Sequence, residues 1–225
     1  MALSLLQAVV ASKISLSELK ILYHIRRCTE KARLWDHHTA LRLAIIEEAA
    51  TASGSTPEKV LGLLDCWTDH LQPQILSGLT DPALRSLLTR LRLRGYQLGV
   101  YSDYSARRKL EALALPPTLF DVIVESLSPE IDKLKPHPKG FHEVCIRMGL
   151  KPAAVIYLGD RLETDGAGAR LAGMPFVHCK SSYLFAKRAP VTKYLLQWEK
   201  DAPTLKEPSS ILESSVGRQG VDRES

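Results

Sequence analysis

The stretch 155–174 constrains the fold of this chain more than any other. It begins with four apolar residues at 155–158, which predict one short buried strand. A glycine and Asp160 end this strand, and Asp165 follows five residues later. Small residues then crowd together as far as Gly173, which lets a helix pack closely on a sheet and suits a helix C-terminus. The stretch therefore predicts a buried parallel strand with acidic side chains at its carboxyl end.

Asp160 and Asp165 allow two interpretations. Open α/β sheets bind ligands beyond the carboxyl ends of their strands. Two carboxylates with only Arg161 as a basic residue between them suit a hard cation such as Mg²⁺. Alternatively, an aspartate that follows a strand caps the next helix. The stretch by itself favours neither interpretation over the other.

The composition narrows the class of protein. With 225 residues, the chain is long enough for one sizeable core or for a domain with a smaller appendage. Its net charge of +5 comes from basic residues that are spread out and not interleaved with aromatic residues, so the sequence predicts no nucleic-acid partner. No apolar run is long enough to cross a membrane. The four cysteines lack CxxC spacing, which predicts reduced thiols in a cytoplasmic protein.

Residues 1–72 are predicted to be helical throughout. Ser15, with Glu18 three residues later, forms the pattern of a capping box. Thr56, followed by a proline in the first turn, predicts another helix start. No strand pattern interrupts this part of the chain, so residues 1–78 are expected to form a helical region.

Helices and strands alternate after Asp81, where a proline begins a predicted helix that ends at Gly95. A strand is expected to end at Ser102, and Ser105 is predicted to cap the next helix, which runs to about Leu115. This alternation predicts a parallel α/β sheet with right-handed crossovers. The other predicted elements are strands at 120–124, 155–158 and 175–179, and helices that include 143–148 and 191–198.

The α/β region is expected to span residues 79–200. Beyond it, residues 201–225 are rich in serine, glutamate, proline and charge. Such a composition cannot bury enough apolar surface to fold, so it predicts a disordered tail. The sequence does not predict an oligomeric state.

Polar groups at three strand ends are expected to converge. All carboxyl ends of a parallel sheet lie on one edge, so Ser102, Lys135 and the pair Asp160 and Asp165 can meet there. Together they make a phosphate site, because the hydroxyl donates to phosphoryl oxygens, the lysine offsets their charge, and Mg²⁺ bridges carboxylate and phosphate. Taken singly, Ser102 is more typical of a turn at a strand end, and Lys135 of a surface lysine.

This ordered set resembles the haloacid-dehalogenase-like (HAD) hydrolase superfamily. The residues Leu-Gly-Val-Tyr-Ser-Asp at 98–103 resemble its second motif, Lys135 with Pro136 resembles its third, and 159–174 resembles its fourth. The resemblance covers about residues 75–179. The helical residues before this range lie where one subclass of the family carries a helical cap.

The resemblance implies an α/β fold with a parallel Rossmann-like core sheet and a helical cap at the N-terminal side. It also implies a Mg²⁺-dependent phosphatase that acts on a small phosphorylated molecule through an aspartyl-phosphate intermediate. By this likeness Ser102, Asp103 and Lys135 bind the substrate, and Ser102 and Lys135 also serve catalysis. Asp160 and Asp165 would form the metal site, with Asp160 coordinating Mg²⁺ and Asp165 supporting it.

The first motif of the family, an apolar strand ending in Asp-x-Asp-x-Thr, is not found in this chain. The nearest match, Asp-His-His-Thr at 36–39, lacks the second carboxylate and lies in helical sequence. In the family this strand lies in mid-sheet, and its first aspartate is the nucleophile. Without it, the strands ending at Ser102 and Asp160 are expected to lack backbone partners, and the chain as written is expected to be inactive or nearly so.

Three explanations for the missing motif stay open. The intact later motifs favour the first, in which a short N-terminal segment is missing from this sequence. The second is a non-catalytic relative that binds phosphate or a regulatory partner. The third is an aspartate elsewhere that takes over as the nucleophile. A dehalogenase is a further enzymatic alternative, and metal dependence distinguishes it because that branch of the family needs no Mg²⁺.

Overall fold

The described part of the N-terminal third of the protein is helical. The structure is a computed structural model that describes residues 14–35, 40–179 and 190–201. The helices are α1 (Leu16–Ala32), α2 (Leu41–Ser53), α3 (Pro57–Cys66) and α4 (Gln72–Leu76), with a π-helical turn at Trp67–Leu71 and a 3₁₀ turn at Ser77–Leu79. The predicted helical character of residues 1–72 is therefore confirmed for the described part of that range.

Local sequence signals decide where two of these helices begin. The Ser15 hydroxyl accepts a hydrogen bond from the Glu18 backbone N–H at 3.2 Å, and the Glu18 carboxylate accepts one from the Ser15 N–H at 2.7 Å. At the start of α3, Thr56 Oγ1 accepts from the Lys59 N–H at 3.3 Å, and Pro57 occupies the first turn. These caps satisfy backbone N–H groups that a first helical turn leaves without partners.

The helical region packs around a hydrophobic core of its own. Apolar side chains from α1, α2, α3 and the π-helical turn are buried together, among them Ile21, Ile45, Val60 and Trp67. Leu134, which belongs to the later α/β part of the chain, is buried in the same cluster. The helical region is therefore packed directly against the α/β region.

The α/β region contains two pairs of parallel strands. Strand β1 (Gly99–Ser102) pairs with β2 (Val122–Glu125), and β3 (Tyr157–Gly159) pairs with β4 (Phe176–His178). The predicted parallel α/β architecture is confirmed. The helices of this region are α5 (Pro82–Leu93), α6 (Arg107–Ala112), α7 (Lys139–Met148), α8 (Ala167–Leu171) and α9 (Pro190–Asp201), with 3₁₀ turns at Pro117–Leu119 and Pro152–Ala154 and a π-helical turn at Leu162–Gly166.

Among the described residues, the two strand pairs do not join into one sheet. The Ser102 carbonyl accepts from the Ser126 N–H, so the backbone groups of alternate residues on β1 face β2. Those of Tyr101 consequently face the opposite side, away from β2. On β3, the Tyr157 N–H donates to the Pro175 carbonyl beside β4, which turns the backbone of the next residue away from β4. Strands β1 and β3 thus each have one edge without a backbone partner in the described chain.

A side chain links the two strand pairs where backbone pairing is missing. The Tyr157 hydroxyl on β3 lies 3.5 Å from the Tyr101 carbonyl oxygen on β1. The ring of Phe141, from α7, contacts both tyrosines edge to face, with ring centroids 4.9 Å and 4.8 Å apart. Aromatic packing therefore holds β1 and β3 in one core despite the interrupted sheet.

The helix after β1 differs from the sequence prediction. It runs from Arg107 to Ala112, and Ser105 does not cap it. The N-cap is Ala106, whose N–H donates to Glu125 Oε1 at 2.8 Å. Glu125, at the end of β2, thus binds the backbone of the N-cap residue, and no side chain caps the first turn of this helix.

Some sequence predictions lie outside the described residues. These are the near-match to the first motif at 36–39, the helical prediction for residues 1–13, and all but the first residue of the tail at 201–225. Within the described ranges, no helix combines the length and the apolar character that crossing a bilayer requires.

Small residues allow the segment after β3 to lie close to the sheet. A Cβ atom at Gly159 would lie 2.5 Å from Cβ of Asp165, and one at Gly168 would lie 2.3 Å from the ring of Phe141. Gly173, which follows α8, has φ +74°, a left-handed conformation that glycine adopts without strain. The close packing predicted from the sequence of this stretch is therefore present.

We expect Gly168→Ala to lower the free energy of unfolding by about 1–3 kcal/mol, because the added methyl group must displace a buried ring. Gly62→Ala is the matched control. Gly62 lies inside α3, where an added Cβ meets nothing within 4 Å. That change should leave stability unchanged or raise it by up to about 1 kcal/mol. Urea denaturation checks both, and equal effects would contradict the packing described here.

Candidate functional site

The predicted site residues lie at the carboxyl ends of β1 and β3 and on the loop after β2. Ser102 is the last residue of β1, and Asp160 directly follows β3. Lys135 lies between β2 and α7, and Asp165 lies in the π-helical turn before α8. The crossover connections between parallel strands thus bring residues that are distant in sequence to the same edge.

Lys135 and Asp165 form a buried ion pair at the centre of this edge. Lys135 Nζ lies 2.7 Å from Asp165 Oδ1, and the two residues are 9% and 4% exposed. The Tyr157 hydroxyl lies 3.3 Å from both of these atoms. The second carboxylate oxygen of Asp165 accepts from the Arg161 backbone N–H at 3.2 Å. Asp165 therefore holds the lysine amine in place and has both oxygens engaged.

Two tyrosine rings surround the lysine amine. Lys135 Nζ lies 5.3 Å from the ring centroid of Tyr101 and 5.9 Å from that of Tyr157, which is within the range of a cation–π interaction. Burial raises the pKa of the Tyr157 hydroxyl well above its ordinary value, and the negative charge of Asp165 raises it further. Burial likewise raises the pKa of Tyr101. Both hydroxyls are thus neutral at physiological pH and can act as hydrogen-bond donors.

Asp103 contacts three protein groups rather than lying open. Arg33 from the helical region forms an ion pair with Asp103 Oδ2 at 2.9 Å. The Ser126 hydroxyl donates to Oδ1 at 2.8 Å, and the Lys135 backbone N–H donates to the same oxygen at 3.3 Å. The substrate-binding role expected for Asp103 stays a prediction. In the structure, the Asp103 carboxylate contacts the Arg33 guanidinium and the Lys135 backbone.

The Ser102 hydroxyl accepts two hydrogen bonds. Lys109 Nζ donates to Ser102 Oγ at 3.0 Å, and the Tyr104 backbone N–H donates to it at 3.3 Å. No acceptor in the described part of the chain takes the hydroxyl proton of Ser102. Because Oγ is occupied as an acceptor, this hydroxyl is arranged to donate its proton to a further group.

Asp160 is not brought into contact with the other predicted residues. It is exposed, and its carboxylate forms no hydrogen bond or ion pair with a described residue. Its backbone carbonyl lies 3.1 Å from Nε2 of His178. Over the ranges that the structure covers, no three His, Cys, Asp or Glu side chains group together as ready metal ligands.

A second set of ion pairs ties the helical region to the segment after β3. Glu30, on α1, accepts hydrogen bonds from Arg161 at 3.0 Å and 3.2 Å and from Arg33 Nε at 2.8 Å. Burial alone raises the pKa of Glu30, but the hydrogen bonds and charges of the two arginines outweigh it and lower the pKa to about 2. Since Arg33 also donates to the Lys135 carbonyl at 2.6 Å, it connects this cluster to the lysine loop.

Several residues of the site were not identified from the sequence. Lys109 belongs to a run of basic residues at 107–109 of the kind found on solvated helix faces, and Arg33, Ser126 and Tyr157 belong to no motif. Only Tyr157 carried a local signal, its position inside the apolar strand before Asp160. The contacts of the others come from distant parts of the chain, so a local pattern does not reveal them.

Comparison with known proteins gives one match to a family and several to individual proteins. The model of the family described as haloacid dehalogenase-like hydrolase matches residues 7–173. Glyceraldehyde 3-phosphate phosphatase from Methanopyrus kandleri is 36% identical over 102 residues, which is 44% of this chain and 42% of that protein. N-acylneuraminate-9-phosphatase from Homo sapiens is 30% identical over 126 residues, which is 54% of this chain and 50% of that protein. The chain therefore spans about half the length of the curated relatives it matches.

A solved structure shares the fold over a larger part of the chain. The crystal structure of beta-phosphoglucomutase from Clostridium difficile matches with a TM-score of 0.50 and 15% sequence identity. The match covers 82% of this chain and 90% of that chain. At this identity the likeness concerns the fold alone.

We expect Arg33→Met to lower the free energy of unfolding by about 3–5 kcal/mol, because it leaves Asp103 buried without its charge partner. The side chains of Arg33 and Asp103 are only 8% and 12% exposed. The exposed pair Arg42 and Asp65, at 47% and 48%, is the matched control. Arg42→Met should cost less than about 1 kcal/mol. Chemical denaturation of both variants measures the contrast, and similar losses would contradict it.

The depressed pKa of Glu30 predicts a pH dependence of stability. Its pKa is about 2 in the folded protein against an ordinary 4.5, so its contribution is fully present above pH 4.5 and is lost as the pH falls towards 2. Glu30→Gln removes this contribution. The difference in unfolding free energy between the wild type and the variant should therefore shrink over that interval. A difference that stays constant down to pH 2 would show that the arginine contacts do not act on Glu30.

Proposed function

The chain belongs to the haloacid dehalogenase-like hydrolase family, and on that premise we propose that it forms the phosphate-binding part of a Mg²⁺-dependent phosphatase for a small phosphorylated metabolite. The observation that carries the proposal is the buried amine of Lys135, held by Asp165 at the strand edge where Ser102 presents a hydroxyl proton without an acceptor. A cation and a hydroxyl donor on one edge suit a phosphoryl group.

The relatives support the class of substrate. Those named above are phosphatases of glyceraldehyde 3-phosphate and of N-acylneuraminate 9-phosphate, both small phosphorylated molecules. We extend this class to the present chain without choosing between the two. Each relative is matched over half of its length or less, so the rest of each protein has no counterpart in the match.

Ser102 and Lys135 would bind the phosphoryl oxygens directly. The Ser102 hydroxyl donates a hydrogen bond, and the Lys135 ammonium offsets negative charge in a setting where charge interactions are strong because water is largely excluded. Asp165 would keep the amine oriented, and Asp103 would act indirectly by positioning the lysine loop. Asp103 as a direct substrate ligand stays the alternative for that residue.

Asp160 is the residue of this site whose side chain would bind Mg²⁺. Its exposed carboxylate has no partner in the described chain, whereas both oxygens of Asp165 are engaged by Lys135 and Arg161. Mg²⁺ commonly takes one or two carboxylates and completes its shell with water and substrate phosphate, so the small number of protein ligands is compatible with it. The ion would neutralise charge on the phosphoryl group when bound. Asp165 would then support the metal site by positioning Lys135.

The nucleophile would come from a strand between β1 and β3. Each of these strands has one edge without a backbone partner in the described residues, and one parallel strand placed there would satisfy both. An aspartate at the carboxyl end of such a strand would face the phosphoryl group held by Ser102 and Lys135. It would attack phosphorus in line, and water would then hydrolyse the aspartyl-phosphate.

We assign the helical region, residues 1–78, to a cap over this edge, with residues 79–200 as the core. Arg33 supports this division because it reaches from α1 to Asp103 and to the Lys135 carbonyl. A cytoplasmic location belongs to the proposal as well, on the basis of four cysteines without a disulfide in the described structure.

We expect the 225-residue protein to show no Mg²⁺-dependent hydrolysis of p-nitrophenyl phosphate, because it lacks the first motif. Joining an apolar strand that ends in Asp-x-Asp-x-Thr ahead of Met1 should create such activity. The matched control carries asparagine in place of the first aspartate of the added strand, and Asp160→Ala in the joined protein should abolish turnover. Activity of the unmodified chain that Asp160→Ala abolishes would refute the assignment of the nucleophile.

A non-catalytic phosphate-binding protein is the second candidate, and the absence of the first motif favours it. It uses the same Ser102 and Lys135 but needs no nucleophile. Phosphate binding by the unmodified chain, together with no gain of activity on adding the strand, would support this candidate over the enzyme.

A further inference from the structure

We propose that Lys109 binds the same phosphoryl group as Ser102 and supplies the second positive charge of the site. The inference rests on the proposed phosphate site and adds to it a residue outside the motifs identified from the sequence. It begins from one distance, the 3.0 Å between Lys109 Nζ and Ser102 Oγ. An oxygen that accepts the hydroxyl proton of Ser102 would lie roughly 4–5 Å from this amine, so a second oxygen of the same phosphoryl group can come within hydrogen-bonding reach of it.

Lys109 differs from Lys135 in how its charge is balanced. The amine of Lys135 is paired with Asp165 at 2.7 Å, so much of its charge is already neutralised. No carboxylate among the described residues forms an ion pair with Lys109. Glu125 is near enough to attract it, but Oε1 of Glu125 accepts from the Ala106 N–H. Lys109 therefore carries the positive charge at this edge that a bound anion can neutralise.

The surroundings of Lys109 place its amine in a poorly solvated position. The side chain is half-buried, and its amine lies 5.9 Å from the ring centroid of Tyr104. Burial lowers the pKa of Lys109 to about 8, and the nearby positive charge of Lys135 lowers it further, while Glu125 and Asp103 act against this. Burial disfavours the charged form of this amine, and no ion pair compensates for it. A charged group in such a position is typical of a binding site and does not stabilise the fold.

The charged groups that act on Lys109 are Glu125, Asp103 and Lys135, and the ring beside its amine is that of Tyr104. Burial raises the pKa of Tyr104, so its hydroxyl stays neutral. The two segments that pack against α6, at 72–76 and 117–119, carry no ionisable side chain. A change in anion binding around pH 8 would therefore report on Lys109.

The first test is binding of inorganic phosphate to the 225-residue protein by isothermal titration calorimetry. Lys109→Met should weaken binding about tenfold or more, as expected for the loss of a charged hydrogen bond. Arg108→Met is the matched control, because Arg108 is an exposed cation on the same helix and pairs with Glu111. It should change the affinity by less than about twofold. Equal effects of the two substitutions would overturn the assignment of Lys109.

A thermal denaturation readout separates binding from a structural role. In phosphate-free buffer, Lys109→Met should leave the midpoint unchanged or raise it, because it removes a poorly solvated charge that has no ion pair. Added phosphate should then stabilise the variant less than the wild type. If Lys109 served only to support Ser102, the variant would have a lower midpoint without phosphate.

The pH dependence of sulfate binding supplies an independent test. Sulfate stays a dianion across the range, so a loss of affinity as the pH rises through about 8 should come from Lys109. Lys109→Arg retains its charge and should not show that loss. A loss of the same size in wild type and Lys109→Arg would overturn the proposal.

Ser102→Ala distinguishes failure of this proposal from failure of the proposed function. If Ser102→Ala weakens phosphate binding and Lys109→Met does not, the phosphate site stands and the role of Lys109 is wrong. If the wild type binds no phosphate, or Ser102→Ala has no effect, the phosphate site itself is wrong and Lys109 loses its role with it.

Discussion

The buried ion pair between Lys135 and Asp165 is the interaction on which the rest of the site depends. Taking two charges out of water costs several kcal/mol for each ion, so the pair by itself is a poor explanation of stability. Its role is to fix the position of the Lys135 amine. Asp165 approaches β3 closely because Gly159 has no side chain, and Tyr157 contacts both charged groups. The lysine amine is thereby held at the strand edge.

The same edge connects the two regions of the protein. Arg33 on the helical side contacts Asp103, Glu30 and the carbonyl of Lys135, so the position of the lysine loop depends on how the helices pack. Partly buried, charge-assisted hydrogen bonds of this kind specify geometry more than they add stability. A change in the helical region would therefore alter the position of the Lys135 loop, and with it the proposed phosphate site, without contacting that site.

The interrupted sheet is the second constraint. The edges of β1 and β3 that lack a backbone partner in the described residues are costly, because their backbone groups must otherwise be satisfied by water or side chains. Tyr157 supplies one such contact, to the Tyr101 carbonyl, and Phe141 fills the space beside it. In the proposed function, one additional strand would satisfy both of these edges and would place its last residue beside the proposed phosphate site.

The sequence alone determined the order of helices and strands, the capping box at Ser15, the close packing after β3 and the strand ends that carry Ser102 and Asp160, because each depends on residues near one another in the chain. The tertiary structure decided the partners of those groups. Glu125 accepts from the backbone N–H of Ala106 before α6, Arg33 contacts the lysine loop, and Lys109 on α6 donates to Ser102. These contacts arise only when separate segments fold together, since burial and charge balance are properties of the assembled molecule and not of any single stretch.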